Sequence, residues 1–184
     1  TRTAGETVGS SPYNITGSTF NALAGSASGN YSAPTSLTGS PTLAITAAPL
    51  TASISNQSKV YGADDPLLSS ITVNLGGVVN RTVSTWNGNV GVNDTGNVTD
   101  TLASLTRNAG ETVAGSTYAI TAATFNALAG SAAGNYSAPS SLTGSPTLAI
   151  TAAPLTASIA NQSKVYGADD PLLSSITVNL GGVV

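Results

Sequence analysis

The chain repeats itself with a period of 105 residues. Residues 1–79 recur as residues 106–184, and 69 of the 79 aligned positions are identical. Residues 56–79 recur without a single change as residues 161–184. Self-similarity at a fixed period is typical of proteins whose structural units are arranged in series, so the sequence predicts an array of repeated units. The 184 residues hold fewer than two periods, and we expect them to be a piece of a longer protein.

Composition narrows the classes of partner. Only 7% of the residues are charged and the net charge is -3, so the chain lacks the basic surface that nucleic-acid binding requires. No apolar run approaches the length of a membrane span, and we expect no membrane insertion. Cysteine and methionine are both absent, which suits an extracellular protein exposed to oxidants. A hydrophobic content of 40% favours a folded chain over a disordered one.

Apolar residues alternate with polar residues in several short segments. These are Ile71, Val73 and Leu75; Tyr118 and Ile120; Leu148 and Ile150; and Leu155, Ala157 and Ile159. A period of two predicts β-strands with one buried face, and the clusters of Gly, Asn, Asp and Pro between them predict turns. Roughly seven such strands in about 100 residues are typical of an immunoglobulin-like β-sandwich. The predicted fold class is therefore all-β, with tandem immunoglobulin-like β-sandwich repeats in a linear array.

Two Ala-Ala-Pro sequences set the predicted domain boundaries. Residues 1–48 are interpreted as the C-terminal part of one repeat, 49–153 as a complete repeat, and 154–184 as the N-terminal part of the next. Pro49 and Pro154 restrict their own backbone and that of the preceding alanine. The joints between units are therefore predicted to be short and stiff.

Four segments of the repeat, taken in order, carry a resemblance to a known family. They are KVYGADDPL from Lys59, LTRNAGETV from Leu105, YAIT from Tyr118 and NY from Asn135. Together they resemble the MBG family, a bacterial immunoglobulin-like repeat of large secreted adhesins, including filamentous-haemagglutinin-like proteins. Segments around 87–100 and 126–134 make this unit longer than the family pattern. The resemblance implies a secreted stalk or spacer domain at the bacterial cell surface, without catalytic residues.

Acidic residues provide the candidate metal ligands. They are Asp64, Asp65, Asp94, Asp100, Asp169 and Asp170. Adjacent carboxylates in the sequence YGADDP, together with backbone carbonyls, are ligands that Ca²⁺ accepts. The simpler interpretation of the same sequence is a turn, because Gly, Asp and Pro each favour one. The sequence therefore predicts no cofactor unless calcium binds at these acids.

The segment 87–100 contains several oxygen donors on a glycine-bearing stretch that we predict to be a flexible loop. It is a candidate site for calcium, or for a glycan stacked on the neighbouring Trp86, although its spacing matches no calcium-loop signature. Trp86 is the only tryptophan, and the competing interpretation places it in the core or between units.

Lys59 is the only lysine of its repeat. One hypothesis is an intramolecular isopeptide bond between Lys59 and an asparagine, assisted by a buried acid, which would act as a mechanical staple. The simpler expectation is an exposed, solvated side chain, because lysine is almost never fully buried unless it is paired.

No catalytic constellation is evident. The chain has no histidine or cysteine to activate its many Ser and Thr hydroxyls, and we expect it not to be an enzyme. The predicted function is a structural stalk or spacer of an extracellular adhesin or fibre, with neighbouring identical repeats as partners. Two alternatives remain open: a module that binds a glycan, a host surface or a neighbouring cell, and a filament subunit completed by strands of a neighbouring chain.

Overall fold

Fourteen short strands and five 3₁₀ turns make up the computed structural model, which describes residues 1–184 and is all-β. The strands are β1 (Tyr13–Asn14), β2 (Thr42–Leu43), β3 (Ala48–Pro49), β4 (Thr51–Ser53), β5 (Gln57–Val60), β6 (Asn74–Gly76), β7 (Asn80–Thr85), β8 (Gly88–Asn93), β9 (Leu102–Arg107), β10 (Tyr118–Phe125), β11 (Tyr136–Ser137), β12 (Thr147–Thr151), β13 (Thr156–Ile159) and β14 (Val178–Gly181). The 3₁₀ turns are Val8–Ser10, Ser28–Asn30, Leu68–Ser70, Ala133–Asn135 and Leu173–Ser175. None of the helical segments has the length and apolar character needed to cross a membrane.

The largest sheet lies within residues 49–153 and has the strand order β5-β12-β10-β9. β10 runs antiparallel to both β12 and β9, whereas β12 and β5 are parallel. Leu148 and Ile150 of β12 are buried, as the alternating pattern predicts, and Tyr118 is buried at the start of β10. The strands predicted around Tyr118 and Leu148 are therefore confirmed.

Two apolar clusters form the core of the same unit. One contains Leu50, Val98, Ala132 and Tyr136, and the other contains Ile54, Ile71, Leu102 and Ala123. Ile71 and Val73 belong to or line the second cluster, but they precede β6 and are not in a strand. The alternation therefore predicted correctly which side chains face the core. It placed the strand too near the N-terminus, because β6 begins only at Asn74.

The prediction of a loop over residues 87–100 is wrong for Gly88–Asn93, which form strand β8. Trp86 and Asn87 form the two-residue turn of the β7–β8 hairpin, so only residues 94–101 connect β8 to β9. That connection packs on residues 126–134, the other segment that lengthens the repeat. Thr99 and Ala129 exchange both backbone hydrogen bonds, at 2.9 and 3.0 Å. The two segments that lengthen the repeat therefore support each other.

The three parts of the chain differ in structure despite their near-identity in sequence. We call residues 105 positions apart counterparts. β5 is a strand beside β12, whereas its sequence-identical counterpart at 162–165 has no strand structure. The eight residues of β10 correspond to only two residues of strand in β1. Only residues 49–153 therefore have the complete set of strands.

Candidate functional site: the charged cluster and the joint between units

A tyrosine hydroxyl organises the turn before β10. Tyr118 Oη donates to the backbone oxygen of Thr112 at 2.9 Å and accepts from its backbone N–H at 3.0 Å. Gly110 lies against the same ring with φ +137°, and a Cβ at this position would come within 2.3 Å of the ring. Glycine therefore fits here for two reasons, the backbone conformation and the close approach.

Arg107, at the end of β9, completes this local motif. Its guanidinium lies 5.6 Å from the centroid of the Tyr118 ring and donates to the backbone oxygen of Gly110 at 2.8 Å. It also pairs with Glu111. The counterparts repeat these contacts, with Arg2 lying 5.0 Å from the Tyr13 ring centroid. The motif therefore forms in both copies of this sequence within the chain.

Lys59 in β5 and Asp65, which follows the turn after β5, contact Arg107 and Glu111 of this motif. Lys59 Nζ lies 2.7 Å from Asp65 Oδ1 and 2.6 Å from Glu111 Oε2, while Arg107 Nε donates to Asp65 Oδ2 at 2.8 Å. We call these four side chains the charged cluster. The Lys59 side chain is only 6% exposed, so the prediction of an exposed, solvated lysine is wrong. It is buried because two carboxylates accept its hydrogen bonds.

The cluster holds its members in their charged forms. The hydrogen bond from Arg107, followed by that from Lys59, lowers the pKa of Asp65 to about 2. Hydrogen bonds to Asp65 and then to Glu111 raise the pKa of Lys59. Formation of an isopeptide bond needs a neutral amine, and the partners of Lys59 are carboxylates rather than an asparagine. The geometry therefore supports an ion-pair network and not the covalent staple.

The predicted metal ligands in the YGADDP sequences are dispersed or already paired. Asp65 belongs to the charged cluster, and its counterpart Asp170 lies 2.6 Å from Lys164 Nζ. Asp64 and Asp169 are exposed in their turns. The YGADDP sequence forms the predicted turn at Tyr61, and Asp65 stabilises it through ion pairs.

The remaining two acids lie in the connection between β8 and β9. Asp94 Oδ2 accepts a hydrogen bond from the Tyr136 hydroxyl at 2.7 Å. Asp100 is buried, with Oδ1 accepting from the backbone N–H of Thr101 at 2.7 Å and Oδ2 without a protein partner. The structure contains no group of three or more acidic side chains arranged to hold a metal ion. Calcium binding stays a prediction, and the structure gives Asp94 a structural role.

The joint between residues 1–48 and the next unit is built on side-chain amides. Asn87 Nδ2 donates to the backbone oxygen of Arg2 at 2.6 Å, and Asn87 Oδ1 accepts from the Arg2 backbone N–H at 3.1 Å. Asn135 Oδ1 accepts from the backbone N–H of Val8 at 3.0 Å. The sequence analysis assigned Asn87 to a candidate ligand-binding loop. The composition of this segment does not distinguish a turn that contacts a neighbouring unit from a loop that binds a ligand.

The linker between the two units is itself part of a sheet. β3, which contains Ala48 and Pro49, pairs in parallel with β11, and the backbone N–H of Leu50 donates to Ser137 O at 3.1 Å. Trp86, beside Asn87 in the hairpin turn, is 60% exposed, so the interpretation that places it in the core is wrong. The joint therefore consists of backbone pairing and amide contacts rather than aromatic packing.

Comparisons of the chain with protein-family models, with curated proteins and with solved structures found no match in any of the three.

Proposed function

We propose that the chain is a structural stalk or spacer of a long extracellular bacterial adhesin or fibre. Its units are proposed to be immunoglobulin-like β-sandwiches arranged in a linear array, of the kind that the MBG resemblance implies. The function is mechanical: each unit sets a distance and an orientation for whatever lies at the end of the array. Neighbouring repeats are the principal partners.

The joint is the observation that carries this proposal. A flexible tether would leave the linker unpaired, whereas Ala48 and Pro49 form a strand with β11. Asn87 and Asn135 add three hydrogen bonds from one unit to the backbone of the other. Contacts directed at backbone atoms tolerate variation in side chains, so the same joint suits every repeat of an array.

The tyrosine motif supports the immunoglobulin-like part of the proposal. In such domains a tyrosine near the start of a strand bonds the backbone a few residues upstream. Tyr118 begins β10 and bonds Thr112, six residues upstream, in this way, and Tyr13 repeats the contact with Thr7. The chain has no cysteine, so the inter-sheet disulfide of antibody domains has no counterpart here.

Small-angle scattering tests the spacer function. Proteins with two, three and four whole 105-residue periods should give a maximum dimension that rises by a constant increment per period, with and without calcium. A chain that bends freely at its joints would instead give increments that shrink with each added period. A particle that extends only when calcium is added would overturn the metal-independent joint and assign the acidic residues to function.

A second candidate function is glycan binding, and the exposure of Trp86 favours it. An exposed indole is the surface on which a sugar ring stacks. The test is binding of the chain to an array of immobilised glycans, with Trp86→Ala as the variant. Binding that Trp86→Ala abolishes would support a recognition module, and the absence of binding would leave the spacer function alone.

A further inference from the structure

The joint depends on the one asparagine of the chain that is followed by glycine. Asn87 precedes Gly88, and none of the other asparagines, including Asn135 at the same joint, has glycine after it. Asparagine amides are thermolabile, because the backbone nitrogen of the next residue can attack the side-chain carbonyl carbon. Glycine obstructs this attack least, since it has no side chain. The most labile amide of the chain therefore lies where two units meet.

The hairpin turn favours the same glycine that makes Asn87 labile. Gly88 has φ +108°, a conformation that residues with a side chain rarely adopt. Nothing lies within 4 Å of the position that a Cβ would take at Gly88, and both Asn87 and Gly88 are exposed. The peptide unit that joins the two residues is therefore open to water.

The closed joint restrains the amide of Asn87. Its Nδ2 donates to the backbone oxygen of Arg2 at 2.6 Å, and its Oδ1 accepts from the Arg2 backbone N–H at 3.1 Å. An attack on Cγ requires this side chain to turn away from Arg2 towards the nitrogen of Gly88. Gly88 itself pairs with Thr85 at the last rung of the hairpin, where a strand ladder opens most readily. The reaction is therefore restricted to molecules in which the joint has opened.

We propose that Asn87 is a site of spontaneous deamidation and that this modification releases the joint. The nitrogen of Gly88 forms a bond with Cγ of Asn87, the Cγ–Nδ2 bond breaks, and ammonia leaves with the proton of the Gly88 N–H. Water then opens the cyclic imide. Addition of water at Cγ gives aspartate, and addition at the backbone carbonyl carbon gives isoaspartate, in which the main chain runs through Cγ. Solvent water is the only co-reactant.

Both products remove a contact on which the joint depends. A carboxylate has no hydrogen to donate to the backbone oxygen of Arg2, so two acceptor oxygens would face each other at the present distance of 2.6 Å. Isoaspartate also adds an atom to the main chain at the turn, which moves the side group away from Arg2. The proposal does not depend on the spacer function, because the same joint would orient two units in any array.

Peptide mapping of the aged protein locates the modification. The full chain is incubated at body temperature and mildly alkaline pH, and tandem mass spectrometry follows the loss of each amide while chromatography separates aspartyl from isoaspartyl peptides. Asn89 is the internal control, since it is exposed in the same hairpin and followed by valine. Asn87 should lose its amide while Asn89 retains its own. Equal rates at the two positions, or an Asn87 amide that persists, would overturn the proposal.

Asn135→Ala tests whether the joint controls the reaction. This substitution removes the contact with Val8 and leaves the β7–β8 hairpin unchanged. Deamidation of Asn87 should become about fivefold faster, because the loss of one hydrogen bond raises the open population by about that factor. Asn30→Ala is the matched control, since the counterpart Asn30 makes no side-chain hydrogen bond, and its rate should equal that of the unmodified chain. If Asn135→Ala also leaves the rate unchanged, the joint does not protect Asn87.

Asn87→Asp reproduces the aspartyl product and tests its effect on the joint. In ¹⁵N relaxation, residues 1–48 of Asn87→Asp should tumble with a shorter correlation time than residues 49–153, and the aged protein should show the same difference. Asn89→Asp adds the same charge to the same hairpin and should keep one common correlation time. A common correlation time in Asn87→Asp as well would refute the release of the joint by deamidation.

Discussion

Asn87 hydrogen-bonds both backbone groups of Arg2, 85 positions away, as a neighbouring strand would. The side-chain amide carries a donor and an acceptor, so it satisfies the N–H and the C=O of one residue together. The hairpin turn that presents Asn87 belongs to one unit, and Arg2 belongs to the preceding one. A single asparagine thus provides two of the three amide contacts that fix the joint.

Asn87→Ala should loosen the joint without unfolding the units. Both hydrogen bonds from the Asn87 side chain to the Arg2 backbone are lost. Because Asn87 is exposed, water can take the place of its amide at little cost in free energy. In ¹⁵N relaxation, residues 1–48 should tumble with a shorter correlation time than residues 49–153, whereas the unmodified chain gives one common value. Asn89→Ala is the control, since Asn89 lies in the same hairpin and its side chain makes no hydrogen bond. Equal correlation times in Asn87→Ala would show that β3 and β11 suffice.

Tyr118→Phe should lower the free energy of unfolding by about 1–2 kcal/mol, because the backbone N–H and C=O of Thr112 lose their partner. Urea denaturation followed by circular dichroism measures the change. Tyr166→Phe is a matched control, because the Tyr166 side chain is exposed and makes no hydrogen bond. If both variants unfold at the same urea concentration, the tyrosine contact does not stabilise the unit.

The charged cluster should make stability depend on pH in the acid range. Folding lowers the pKa of Asp65 from its ordinary value of 3.8 to about 2, so its contribution is present above about pH 4 and is lost as the pH falls towards 2. Asp65 is half exposed, which limits this contribution to about 1 kcal/mol. Asp65→Asn should therefore unfold more easily at neutral pH and lose less stability between about pH 4 and 2.

Thermal unfolding at a series of pH values checks this prediction. Asp64→Asn is the control, because Asp64 is exposed beside Asp65 and makes no ion pair. Its pH dependence should follow that of the unmodified chain. An unchanged slope in Asp65→Asn would mean that the cluster contributes nothing to acid sensitivity.

Gly130→Ala should destabilise the complete unit by about 1–3 kcal/mol. An added Cβ would lie 2.3 Å from the backbone oxygen of Asn97, where residues 94–101 pack against residues 126–134. Gly25→Ala separates this clash from backbone strain. Gly25 has the same neighbours in sequence and a φ of +107° against +105°, yet nothing lies within 4 Å of its Cβ position. Similar losses of stability in the two variants, measured by urea denaturation, would refute the role of the close approach.

The sequence predicted local structure well, but it did not predict which distant side chains contact each other. Tyr118 and Leu148 were placed correctly in strands with buried side chains, because alternation records which face is apolar. Lys59 was predicted to be solvated because its two carboxylate partners lie 6 and 52 residues away, and nothing in the sequence pairs them. Asn87 was assigned to a ligand loop because a turn that contacts a neighbouring unit has the same composition as a turn that binds a ligand.

The repeat separates what the sequence by itself determines from what tertiary structure decides. Arg2 and Tyr13 form the same motif as Arg107 and Tyr118, although β10 has eight residues and β1 only two, because all the contacts of the motif lie within a dozen residues. β5 and its identical counterpart at 162–165 have different structures, since only β5 has β12 beside it. A strand needs hydrogen-bond partners from elsewhere in the chain, so its formation depends on the fold around it and not on its own residues.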